Sequence, residues 1–146
     1  IGNARCIQPN LFIPGAVIAV YMVIPVVAGI LFGCHTGAKV GFFGTLINAL
    51  SPAGSVFEFA SIIPHTIMGM MAGCLRGRFP TPIVASSILV GHLLNIVLYL
   101  VLRLLPLSTI ADRQFWFGLG YEAFIGITEV YILVTIYRLG FQYDES

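Results

Sequence analysis

Seven polar or aromatic side chains lie inside otherwise apolar stretches: Asn48, Glu58, Asn95, Tyr99, Trp116, Tyr121 and Glu122. Carboxylates and amides can hydrogen-bond a polar molecule and Trp and Tyr can stack on a ring, the usual mix in a small-molecule pocket. Spacing supports grouping them. His92, Asn95 and Tyr99 share one helix face by their i, i+3 and i+7 offsets, and Gly118, Glu122, Gly126 and Glu129 share another. The run around Glu122 and Glu129 holds about eleven Leu, Ile, Val and Phe residues, each worth roughly −0.3 to −0.6 kcal/mol on the insertion scale. Two acids at roughly +2.5 to +3.5 kcal/mol each nearly cancel that sum. Both carboxylates are therefore expected to face a protein interior or a wet cavity, with Glu122 the foremost ligand-binding candidate. The competing use for any one of these residues is hydrogen-bonding between helices, and for Trp116 an interfacial anchor.

Other chemistries find less support. His65 and His92 lack a third ligand at metal-binding spacing. Ser61 and His65 are one turn apart but no nucleophile elbow accompanies them. Without a phosphate loop or Walker motif the chain cannot hydrolyse ATP itself. The reading is of a non-enzyme with no cofactor and no bound metal.

The solvent for these residues is lipid. Only 9% of residues are charged, 58% are hydrophobic, and mean hydropathy is +0.98 over 146 residues, against about 25% charged in soluble domains. A net charge of +1 offers no field for nucleic acid. Cys6, Cys34 and Cys74 contain no C-x-x-C pair and suggest neither a disulfide framework nor a zinc site. The chain opens on Ile1 rather than Met, so upstream sequence is expected.

These features predict an all-α polytopic membrane bundle, a single transmembrane domain over residues 1–146 with five visible spans. Residues 1–10 read as a loop. Leu11 to Phe32 is the first span, with Pro14 in its first turn and Pro25 inside, where it should kink the helix. Residues 37–50 form a glycine-rich helix, short for a bilayer unless it begins near Gly33. Gly33, Gly37, Gly41 and Gly44 here, and Gly69 and Gly73 later, give G-x-x-x-G spacings expected to let helices approach closely. Ser51-Pro52-Ala53-Gly54-Ser55 is a turn, and the loop at 51–56 is a candidate lid. Phe57 to Cys74, with Pro64 inside, Ile83 to Leu105, and Phe115 to Leu139 are the remaining spans. Alternating them puts Lys39, Arg76, Arg78 and Arg138 on one side and Arg5, Arg103 and Arg113 on the other. The dense Arg76–Arg78 loop marks the first side as cytoplasmic, so the seven candidate ligand residues fall in the outer half.

Several motifs resemble a known family. Ile7-Gln8-Pro9 before an apolar span, then Pro25-Val26-Val27-Ala28-Gly29-Ile30-Leu31-Phe32-Gly33, Gly37-Ala38-Lys39-Val40-Gly41-Phe42, and Gly69-Met70-Met71-Ala72-Gly73-Cys74-Leu75-Arg76-Gly77-Arg78 look like the substrate-binding S components of energy-coupling-factor vitamin transporters. The resemblance covers residues 7–80 and implies a six-helix bundle whose first helix would precede Ile1. It also implies a bacterial cytoplasmic-membrane location, a small vitamin-like ligand, and uptake coupled to a separate ATPase module. Rod-shape proteins of the MreD type have a similar build and the loop style of Leu50-Ser51-Pro52-Ala53-Gly54, which would imply a cell-wall scaffold. A third alternative is an accessory subunit of a larger membrane complex. In each case the partners are lipid and other membrane subunits, with no nucleic acid.

Overall fold

The computed structural model describes residues 7–9, 17–52 and 54–143. Seven helices account for most of the described chain: α1 (Val23–Phe32), α2 (Cys34–Leu50), α3 (Val56–Leu75), α4 (Thr81–Ala85), α5 (Ser87–Val101), α6 (Leu107–Ile110) and α7 (Arg113–Tyr143). Three are long and apolar enough to cross a membrane: α3, the nearly continuous α4–α5 unit over Thr81–Val101, and α7 over Arg113–Gly140. At 1.5 Å per residue the 17-residue α2 reaches about 25 Å and the 10-residue α1 about 15 Å. Both fall short of the roughly 30 Å hydrocarbon core.

The first expected span differs most from the sequence reading. Residues 11–16, and with them Pro14, lie outside the described residues. Ile7–Pro9, expected as loop, pairs antiparallel with Val17–Ala19, with Gln8 opposite Ile18. A single 3-10 turn, Val20–Met22, then leads into α1. β-Branched Val17 and Ile18 favour this extended start. Because the helix begins only at Val23, Pro25 occupies its first turn, where the missing N–H removes no helical bond. Pro25 thus belongs to the start of the helix rather than to the interior position from which a kink was expected. Pro64 does lie inside α3, which continues through it to Leu75.

Gly33 separates α1 from α2 with φ 100° and ψ 173°, a backbone state that side-chain-bearing residues rarely adopt. The Arg76 guanidinium donates to the Leu31 carbonyl at 2.9 Å, satisfying an acceptor at the end of α1. At the next connection, Gly54 N–H donates to Ser51 at 2.8 Å. Ser55 then opens α3 with a reciprocal capping box in which Glu58 returns to the Ser55 N–H. Arg103, at φ 56°, ends α5 in the left-handed conformation common one residue past a helix.

Two kinds of packing hold the helices. Val23, Val26, Ile30, Met68, Val84, Ala85, Ile88, Ala123, Val130 and Val134 form one apolar core between α1, α3, α4–α5 and α7. The buried residues of α2 are only Gly37, Gly41, Thr45 and Ala49. It joins the bundle through a seam of glycines. A Cβ on Gly37 would run into the Gly69 carbonyl, and one on Gly69 into the Gly37 carbonyl. A Cβ on Gly41 would strike the His65 carbonyl, and one on Gly73 the backbone of Cys34. Gly29 of α1 completes the seam against Gly69 and Gly73. Gly44, expected among the packing glycines, is exposed, with nothing within 4 Å of its Cβ position. The buried row of α2 continues from Gly41 in four-residue steps through Thr45 and Ala49, and Gly44 falls just beside that row. Gly33 acts as the helix break rather than as a groove residue.

Candidate functional site

Antiparallel succession brings the end of α2, the start of α3, the end of α5 and the start of α7 to one end of the bundle. Glu58, Ser61 and His65 follow each other on α3 at i, i+3 and i+7, so they lie along one face. Each meets a polar partner from another helix. Asn48 Nδ2 donates to Glu58 Oε1 at 2.6 Å. Ser61 Oγ donates to the Phe57 carbonyl at 2.8 Å and shares a 2.5 Å hydrogen bond with the Tyr99 hydroxyl. Thr45 Oγ1 and His65 Nδ1 are 2.8 Å apart and buried. The result is a file of polar side chains running inward from the capped end of α3.

Tyr21, which no local spacing in the sequence marks, belongs to this file. Its ring meets that of His65 edge-on with centroids 5.8 Å apart. Tyr21 and Tyr99 each lie within electrostatic reach of Glu58 and Glu122, which links α7 to the group. Phe57 adds an edge-to-face contact with Tyr99 at 5.1 Å. His92 is within electrostatic reach of His65 at the inner end. Among the described residues no group of three His, Cys, Asp or Glu side chains is arranged to hold a metal ion.

Two atoms in this region stand out. His65 is 1% exposed and Asn95 7% exposed, yet His65 Nε2 and Asn95 Oδ1 have no hydrogen-bond partner among the described residues. A buried polar group left unpaired costs about 1–3 kcal/mol, so such atoms call for an explanation. His65 Nδ1 is engaged by Thr45, which leaves Nε2 as the atom open to a further partner. Asn95 Oδ1 can only accept.

The seven expected ligand residues take different places. Asn48 and Glu58 bond each other, and both Glu58 oxygens are engaged, one by Asn48 and one by the Ser55 N–H. Ser55-x-x-Glu58 was legible as a capping box, and that local signal accounts for the carboxylate before any ligand does. Tyr99 is tied to Ser61 and Asn95 is buried one turn away on α5. Tyr121 and Glu122 are half-buried on α7, and both have partners. Trp116 is separate: its indole N–H donates to the Ile110 carbonyl at 2.7 Å and the residue is 43% exposed. It ties α6 to α7, and no bond among the described residues joins it to the polar file.

The opposite end is basic. Arg76 reaches the end of α1, and Arg138 donates to Thr81 Oγ1 at 3.3 Å across to α4. Lys39 and Arg78 are exposed at the same end, near the start of α2 and in the loop after α3. Compared with protein-family models, with curated proteins and with solved structures, the chain matches none.

Proposed function

We propose that the chain is the substrate-binding subunit of a membrane uptake system, taking a small polar, vitamin-like molecule at the end of the bundle lined by Tyr21, Ser61, His65, Asn95, Tyr99 and Glu122. In this reading α1 and α2 are membrane-embedded with the three long helices. They make five visible segments of a six-helix, S-component-like bundle, and the basic end faces the cytoplasm. A separate ATPase module supplies energy. The observation that carries the reading is the pair of buried unpartnered atoms, His65 Nε2 and Asn95 Oδ1, in a region rich in aromatic rings.

The same groups narrow the ligand. The Asn95 amide and His65 Nε2 both call for a molecule with polar hydrogen-bonding groups. The charged side chains of the file are both acids, Glu58 and Glu122. A neutral or cationic molecule therefore fits better than an anionic one. Tyr21, Phe57 and Tyr99 favour one with a ring.

Native mass spectrometry of protein extracted from the membrane it normally occupies tests this. The wild-type chain is expected to carry a small non-covalent adduct. Glu122→Ala and His65→Leu should lose the adduct while eluting as folded protein. A wild-type chain that is free of small molecules but bound tightly to a large membrane complex would instead favour a scaffold or accessory subunit.

A further inference from the structure

Cys34 and Cys74 are 40 positions apart in sequence, but the glycine seam brings them together. Cys34 is the first residue of α2, and Cys74 is next to last in α3. Gly73 has no side chain, so the Cys34 backbone lies directly against it. Both cysteines are free; Cys74 is exposed and Cys34 half-buried, and the Cys34 backbone packed on Gly73 places Cys34 beside the residue that precedes Cys74. Arg78 is within electrostatic reach of Cys74, and exposed Arg76 is two residues further along the chain.

We infer that Cys34 and Cys74 are a thiol-modification site that reacts with an anionic low-molecular-weight disulfide of the glutathione type and closes to an intramolecular disulfide between α2 and α3. The exposed Cys74 thiolate attacks the reagent disulfide, forming a Cys74–glutathione mixed disulfide and releasing one glutathione thiolate. Cys34 then attacks the Cys74 sulfur, forming the Cys34–Cys74 bond and releasing the second glutathione. Each protein thiol gives up its proton to solvent, the protein loses two electrons, and the reagent disulfide is reduced to two thiols. Exposure makes Cys74 the entry point, and the half-buried Cys34, held beside it by the close approach at Gly73, is the resolving thiol. The arginines beside Cys74 attract the carboxylates of the reagent. On the basic side of the membrane, where the cytosol keeps thiols reduced, a pair of this kind is a reversible sensor rather than a permanent staple.

The test uses the full-length chain in detergent on a Cys6→Ser background, treated with oxidised glutathione. Intact mass and non-reducing peptide mapping then follow the products. The expected product has lost two hydrogens, carries no glutathione, and links the peptides containing Cys34 and Cys74. In the same background, Cys34→Ser should retain a stable glutathione adduct on Cys74, because the resolving thiol is gone. The inference is overturned by separate adducts on both cysteines, by a disulfide between two molecules, or by a chain that stays unmodified.

Discussion

Helices α2 and α3 are joined in two different ways along one interface. Toward the basic end, Gly37, Gly69 and Gly73 bring backbone against backbone, with no room for any side chain. Past Gly41 the same two helices are linked by side chains, Thr45 to His65 and then Asn48 to Glu58. Small residues give van der Waals contact over a wide strip, which in lipid substitutes for the missing hydrophobic drive. Polar side chains join the helices through directional hydrogen bonds instead. One half of the interface is therefore held by backbone packing and the other by side-chain pairing. The outer helices differ in the same spirit: the spanning window of α3 is 44% buried and that of α7 only 22%. α7 contributes a narrow buried stripe of Gly118, Ala123, Gly126, Val130 and Val134, and most of its remaining surface is exposed.

The largest expected effect comes from filling the tight half. Gly41→Leu drives a side chain into the His65 carbonyl and should cost more than about 3 kcal/mol. Size-exclusion chromatography in detergent would show loss of the monodisperse peak. Gly44→Leu, three residues away and open to the outside, should elute like the wild type. Equal behaviour of the two variants would erase the distinction between seam and outer face.

In the polar half the expected losses are graded. Glu58→Ala removes both the cap on α3 and the tie to Asn48 and should lower stability by about 1–2 kcal/mol. A thermal melt of the purified protein reads this as a lower midpoint with a folded starting state. Thr45→Val deletes only the bond to His65 and should cost about 1 kcal/mol, with Thr45→Ser restoring most of it. If Thr45→Val matched the Gly41→Leu collapse, the two halves would not differ in kind.

The smallest effect has the opposite sign. Gly44→Ala has space for its methyl group and replaces a poor helix former, so a gain of up to about 1 kcal/mol is expected from the same melt.

The sequence by itself determined what depends on neighbours along the chain. Apolar run lengths place α3, α4–α5 and α7 as helices long enough to span a membrane. That Gly37 and Gly41 share a face, as do Gly69 and Gly73, follows from helical periodicity alone, and the break after Leu50 from the turn-forming Ser51-Pro52. Tertiary structure decided which equivalent-looking residues meet. Gly29 joins the seam and Gly44 does not, because the approach of α3 selects one face of α1 and one of α2. Tyr21 enters the polar file and Trp116 stays outside it, since a contact between distant segments leaves no local spacing to read. Cys34 and Cys74 look unrelated in the chain, yet they become neighbours once glycine lets two backbones touch. Helical period is a property of a few consecutive residues, whereas the choice of face is a property of the whole packed bundle.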